Sequence, residues 1–545
     1  MAWFLLLWTA VPPPLVAEAA DTLVVSPAPL VTALQPWIVH RTRQGHRVQL
    51  VVAAASREAI RATIRQIARQ GRLRHVLLVG DAGSSDGEHA AAAGDCRLPA
   101  GLVPAKVNVA WGSEPEIATD NWYADLDDDQ LPDVAIGRLC VDSPEELQIQ
   151  VRKILLYEKY PGPGLWQRQI NLVAGIGSFG AVTDTVLEMA TKKFLTGGIP
   201  AAYQTTMTYA SWQSPYCPDP RRFREATLFR LNEGCLFWIY IGHGQQRFLA
   251  PVRVPGAAFP ILDVDDAARL NASSGPPIAI LLACYTGAFD QAEDCLAEAL
   301  LRAEGGPVAA ICGSRVTMPY GMAVMSDALL DEYFVQRRAT LGELLLAAKR
   351  RMVTDAPDNS RRQLLDALAA AFSPSGDQLS AERLEHVALF NLLGDPLLRL
   401  PHARPIEIRV ADVARSGQSL TVSGRCELAG EGWIELVCRR DRTRVNLASR
   451  RQFEPTHEFL ISFQDTYREA NDSVWAAQPF TSTGGNFDLQ LVVPPDCTGP
   501  CHVRACLAAP DGFALGAADV FVQRPTEEPR PLYLEAGKSP EPARR

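Results

Sequence analysis

"GCLFWIYIGHGQQ" (Gly234–Gln246) and "PIAILLACYTGAFD" (Pro277–Asp290) are the two stretches whose reading decides the fold. Each begins as an unbroken apolar run and stops at one reactive side chain, His243 in the first and Cys284 in the second. A strand with one wet face alternates apolar and polar residues. Continuous apolar runs of this length belong to strands covered on both faces, as in a parallel sheet. Such sheets gather functional groups at the carboxyl ends of their strands, where loops lead into helices. His243 and Cys284 both fall at ends of that kind, forty-one residues apart.

The surrounding sequence supports the same architecture. "DTLVVSP", "HRVQLVV" and "HVLLVGD" read as short buried strands. Between them "SREAIRATIRQIARQG" carries apolar residues at helical spacing, with Ser56 as N-cap and Gly71 as stop. "SPEELQIQVRKILLYEKYPG" is a second helix, capped by Ser143 with Pro144 at its first position. A later unit repeats the pattern through "QINLVAGIG", a helix across "DTVLEMATKKFL", the two opening stretches, and "PVAAICGS". Helices are expected around "CLAEALLRAE" and "LLDEYFVQRR", and "ALFNLLGDPLLRL" closes the unit. After about residue 403 the character changes to alternating segments such as "SLTVSGRCEL" and "WIELVCRR", which predict an antiparallel β-sandwich.

The expected organisation is a signal peptide over 1–19, an α/β subdomain over 20–164 and a second over 165–402. A β-sandwich follows over 403–524, then a disordered tail over 525–545. The first twenty residues hold an apolar segment and Ala17-Glu18-Ala19 as a small-x-small cleavage site, though no Lys or Arg precedes them. No stretch is long and apolar enough to predict a membrane span. The chain is therefore expected to be exported and secreted or extracytoplasmic, in a bacterial periplasm or at a cell surface. Its 545 residues carry 53 basic and 62 acidic side chains, net −9, with no basic stripe, which excludes nucleic acid as the expected partner.

A thiolate is the nucleophile of cysteine catalysis, and an imidazole beside it can generate it and later protonate the leaving amine. Gly242 and Gly244 flank His243 and leave room for a bound chain. The backbone N–H groups of Gly244 and Cys284 are candidates to face a developing oxyanion, where one donor contributes roughly 3–4 kcal/mol. Taken singly, a cysteine after an apolar strand is most often a small core residue, and a histidine between glycines a loop residue. The conjunction in one α/β unit is what points to chemistry. Cys312, in "AAICGS", also ends a strand and competes with Cys284; Cys295 is expected inside a helix.

The twelve cysteines include no CxxC pair, so zinc is not indicated. In an exported chain, Cys497 with Cys501 and Cys426 with Cys438 are open to pairing. "TDNWYADLDDDQLPD" (Thr119–Asp133) places carboxylates at Asp125, Asp127, Asp129 and Asp133. Their alternation suits a structural Ca²⁺ ion, although Gln130 stands where a calcium loop usually has glycine and no glutamate occupies the twelfth place. A solvated acidic turn is the competing reading.

Five motifs in order resemble the gingipain-type cysteine peptidases of the caspase-like clan: "PDVAIGRLCVDSPEELQIQVRKILLYEKY" (Pro132–Tyr160), "YIGHGQQ", "LLACYTGAFD", "CLAEALLRAEGGPVAAICGS" and "NLLGDPLLRL" (Asn391–Leu400). The resemblance covers roughly residues 80–400. It implies a caspase-like α/β/α catalytic region in two subdomains followed by an immunoglobulin-like β-sandwich. It implies a thiol protease cleaving protein or peptide substrates, with His243 as base and Cys284 as nucleophile, and structural calcium. Gingipains also carry a glutamate that assists the histidine. The matching place here is Gly175-Ile176-Gly177, without a carboxylate. Asp184 falls near the family's aspartate for a basic P1 residue. Two alternatives remain open: an inactive binding or surface-assembly protein on the same fold, and a transpeptidase that passes the acyl group to an amine.

Overall fold

The computed structural model describes residues 19–54, 56–83, 95–159, 165–176, 197–272, 275–354, 359–373, 375–447, 450–510 and 512–524. The proposed signal peptide, the tail, Asp184 and the helix expected across "DTVLEMATKKFL" lie essentially outside these residues.

A ten-stranded sheet runs through both α/β units. From one edge to the other its strands are Val48–Val52, Thr22–Ser26, His75–Val79, Ala135–Leu139, Phe390–Leu393, Ala309–Gly313, Ile278–Leu282, Phe237–Ile241, Gln169–Ala174 and Gln204–Tyr209. Neighbours are parallel except at one seam, where Phe390–Leu393 pairs antiparallel with Ala309–Gly313. The sheet therefore has two parallel halves pointing in opposite directions. The five strands of the second half, all from residues 169–313, share one carboxyl edge. The segment expected to close the second unit instead places Phe390–Leu393 beside Ala135–Leu139 of the first, so one hydrophobic sheet serves both.

Strand parity separates the two faces. Ile278, Ile280 and Leu282 join one core with Ile239, Leu77 and helix residues Met322 and Met325. Ala279, Leu281 and Cys312 join another on the opposite face, with Trp238 and Leu300. Burying each large aliphatic side chain contributes about 1.5–3 kcal/mol, which is why these strands tolerate no alternation. Helices cover both faces, as a parallel sheet requires. The helix Arg57–Ala68 shows the local logic: Ile60, Ile64 and Ile67 fall on its buried stripe, Ser56 Oγ accepts from Ala59 N–H at 3.2 Å, and Gly71 takes φ 83° beyond its end.

Two motifs prove structural. In "IGR", Arg138 is fully buried and forms two hydrogen bonds to Asp120, at 2.8 and 2.7 Å, plus bonds to the carbonyls of Gly80, Leu98 and Pro99. In "GDP", buried Asp395 accepts from Trp37 Nε1 at 2.5 Å and pairs with Arg41, fastening the first helix to the central strand.

The C-terminal region is β-rich. Six strands between Arg404 and Gln523 fold around their own core, and the sheet curls so that Arg404–Arg409 pairs both with Ser419–Cys438 and with Gly512–Gln523. "SLTVSGRCEL" and "WIELVCRR" form one long strand, Ser419–Cys438, where two were expected. Cys426 and Cys438 consequently lie on the same strand about 40 Å of extended chain apart, which rules out their pairing. Cys497 and Cys501 do adjoin, with sulfurs 3.9 Å apart.

A helix not foreseen from sequence, His457–Asn471, leaves this region and docks on the edge strand Gln204–Tyr209. Leu460 and Phe463 enter the core on one face of the ten-stranded sheet. The Asn471 side chain accepts from Met207 N–H at 2.7 Å and donates to Met207 carbonyl at 3.0 Å, supplying the two bonds that a further strand would make.

Candidate active site

Ile241 and Leu282 are register partners on adjacent parallel strands. His243 and Cys284 each follow by two residues, so both leave the sheet at the same height on neighbouring strands. The forty-one-residue spacing in the sequence is the register offset itself (282 − 241 and 284 − 243). The loops then press together. A Cβ on Gly244 would lie 2.7 Å from the Cys284 carbonyl oxygen, so only glycine permits this approach. Gly242 takes φ 155°, and a Cβ there would meet the Gly175 backbone at 2.9 Å. The His243 carbonyl accepts from buried Tyr240 Oη at 2.9 Å and from Ala250 N–H at 3.0 Å, which fixes the loop behind the imidazole.

The turn after Cys284 is strained. Tyr285, a bulky residue, has φ 58°, a left-handed conformation costing on the order of 1–3 kcal/mol. Its neighbours hold it there: Tyr285 N–H donates to Arg315 carbonyl at 3.1 Å, Gly287 N–H to Gly313 carbonyl at 2.9 Å, and Tyr285 Oη to Glu114 at 3.0 Å. Arg315 in turn grips Asp290 with bonds of 2.8 and 2.6 Å, both residues being buried. Thr317 N–H donates to Cys284 Sγ at 3.3 Å. Among the described residues, no backbone carbonyl accepts from the N–H of Gly244 or of Cys284.

The rival cysteines sit elsewhere. Cys312 is on the opposite face of the sheet and wholly buried, and burial, with Glu298 nearby, pushes its thiol up. Cys295 is the N-cap of the helix Leu296–Arg302 and not inside it; burial, then Glu298, raises its thiol well above the ordinary range. Cys284 is partly exposed.

These strand ends lie within the span that the peptidase family C25 model matches, residues 16–401. The chain belongs to that family. Lys-gingipain of Porphyromonas gingivalis is 24% identical over 312 residues, 55% of this chain and 16% of that protein. Lys-gingipain HG66 of the same organism is 23% identical over the same length and shares. The chain thus spans about a sixth of the length of these curated relatives. The crystal structure of the Arg specific cysteine proteinase gingipain R superposes with a TM-score of 0.52 at 17% identity, covering 93% of this chain and 98% of that one. The complex of RgpB pro- and mature domains gives 0.51 at 16% identity, covering 92% and 100%.

In this C25 chain the acidic loop is a tight turn. Oxygens of Asp125, Asp127 and Asp133 lie within 4.8 Å of one another; Asp129 stands outside the group, its Oδ1 accepting from Leu131 N–H at 2.8 Å. Gln130 has φ 72° and Asp128 φ 68°, so Gln130 adopts the left-handed conformation for which a glycine is usual. Asp125 accepts from the N–H of Asp128 at 2.7 Å and of Gln130 at 3.2 Å, and burial raises its carboxyl. Guanidinium groups supply countercharge: Arg61 lies 3.5 Å from Asp125, and Arg350 donates to Asp133 at 2.9 Å.

Sequence reasoning missed Thr317, Arg315, Asp290 and Tyr240. Their partners lie far away along the chain, and no local pattern marks them. The place where the family carries its assisting glutamate opens at Gly175-Ile176 and then leaves the described residues, as does Asp184.

Proposed function

We propose that this C25-family chain is a cysteine endopeptidase working through a Cys284–His243 pair. The observation that carries it is their shared register on adjacent strands of the second half-sheet. The Cys284 sulfur attacks the scissile carbonyl carbon as the C–N π-conjugation is lost, and the carbonyl oxygen becomes an oxyanion. The N–H groups of Gly244 and Cys284 are the donors for that charge. The imidazole of His243 takes the thiol proton and delivers it to the departing amine, leaving a thioester. Water activated by the same imidazole then adds to the thioester, and Cys284 departs to restore the enzyme.

Two further parts of the reading are ours. Residues 1–19 act as a signal peptide, so the enzyme works outside the cytoplasm. Asp125, Asp127 and Asp133 hold a Ca²⁺ ion, for which three clustered hard oxygen ligands are suited; the ion would order the turn between Asp120 and "IGR" and takes no part in bond cleavage. The protein's own arginines offset part of the acidity, so a calcium-free turn is the alternative that the test must distinguish.

Digestion of a peptide library followed by mass spectrometry tests the function. Cleavage at defined P1 residues by the wild type, absent in Cys284→Ala, is expected. Intact peptides with the wild type, or cleavage that survives Cys284→Ala, would overturn the proposal.

A further inference from the structure

The helix Pro319–Phe334 begins against the sulfur of Cys284. Thr317 N–H donates to Sγ at 3.3 Å, and the Thr317 carbonyl and hydroxyl oxygens lie 3.6 and 3.7 Å from it. Thr317 immediately precedes Met318, the N-cap of this 16-residue helix. Methionine is a poor cap, and no side-chain cap bond forms. Two donors at the helix start are satisfied instead from the helix Leu379–Leu389. Met318 N–H donates to His386 Nε2 at 2.9 Å, and Gly321 N–H to Glu382 Oε1 at 3.0 Å.

The tautomer of His386 follows from these bonds. A backbone N–H can only donate, so Nε2 accepts and the ring hydrogen sits on Nδ1, which donates to the Glu382 carbonyl at 2.7 Å. His386 is fully buried, and its ring fills the space a side chain at 321 would need: a Cβ on Gly321 would lie 2.4 Å from it. The imidazole is thus wedged, bonded at both nitrogens, and unable to shift without moving Met318.

We propose that His386 is a positioning residue for the nucleophile. By fixing Met318 it holds the Thr317 N–H on the Cys284 sulfur, with the positive end of a long helix behind it. The Thr317 N–H and carbonyl bracket the sulfur and fix its place relative to a bound carbonyl carbon, where a displacement of about 1 Å costs on the order of 100-fold in rate. The assignment rests on Cys284 as nucleophile.

The test is the rate of iodoacetamide alkylation at Cys284, read by peptide mass spectrometry, together with kcat and KM for peptide hydrolysis. His386→Leu removes the acceptor. Its kcat for peptide hydrolysis should fall about tenfold with KM little changed, and alkylation at Cys284 should slow alongside. His386→Gln, whose amide oxygen still accepts, should remain near the wild type. Thr317→Pro removes the donor itself and should behave like His386→Leu; it decides the matter should His386→Leu not fold. Wild-type alkylation rates and kcat in the folded variants, even with lowered melting temperatures, would overturn the proposal and leave His386 a packing residue. Hydrolysis that persists in Cys284→Ala while alkylation of Cys284 slows as expected in His386→Leu would instead remove Cys284 as the nucleophile and leave the placement of its sulfur standing.

Discussion

Arg315 holds Asp290 through two buried hydrogen bonds of 2.8 and 2.6 Å, and this pair closes the loop that begins at Cys284. Arg315 also receives Tyr285 N–H on its carbonyl, at the residue with φ 58°. Removing one partner of a buried pair strands the other charge, at a cost of about 3–5 kcal/mol. Asp290→Asn should therefore lower stability by that amount in chemical denaturation and reduce hydrolysis, as the loop loses its fastening. An unchanged denaturation midpoint would show that the pair does not hold the loop.

His75 begins a central strand and is 4% exposed, and among the described residues neither ring nitrogen has a hydrogen-bond partner. Burial lowers its pKa to about 4, only partly opposed by Glu343, whose carboxylate lies 3.9 Å away. Between about pH 6.5 and 4 the unfolded chain takes up a proton here that the folded chain refuses, so stability must fall as pH falls through that window. The loss by pH 4 is about 3 kcal/mol at most. His75→Phe should flatten this part of the melting-temperature profile, and parallel profiles for the two proteins would contradict the assignment.

Much of the ten-stranded sheet was readable from apolar runs because its strands are buried on both faces. The spacing between His243 and Cys284 carried more than was apparent, since it equals a strand register. The seam at Phe390–Leu393 was not readable: three apolar residues and Asn391 after a helix do not announce a central antiparallel strand, and its partners are remote in sequence. Gly430 and Gly432, between the two quoted segments, made Ser419–Cys438 look like two strands. The helix His457–Asn471 did carry a signal, with Leu460, Phe463, Tyr467 and Ala470 at helical spacing and Thr456 accepting from Phe459 N–H at 3.3 Å, but the β-rich context obscured it.

Asn471 stands in for an additional strand at the sheet edge by pairing with both backbone groups of Met207. Asn471→Ala should cost about 1–3 kcal/mol, because a partly buried donor and acceptor lose their partners together. It should also increase aggregation on heating, since the edge strand becomes available for pairing. Light scattering indistinguishable from the wild type would show that the helix protects the edge by packing alone.

Calcium should raise the melting temperature and EDTA lower it, if Asp125, Asp127 and Asp133 close on an ion. Asp127→Asn should abolish that difference, while Asp129→Asn, outside the cluster, should preserve it. Equal melting temperatures in calcium and EDTA would favour the arginine-neutralised turn.

The most direct measurement is the site of labelling by a peptidyl chloromethyl ketone, mapped by mass spectrometry in the wild type, Cys284→Ala and Cys312→Ala. Labelling at Cys284 with loss of hydrolysis is expected in the wild type and in Cys312→Ala, and neither labelling nor hydrolysis in Cys284→Ala. Hydrolysis by Cys284→Ala, or a label carried on Cys312, would contradict the account.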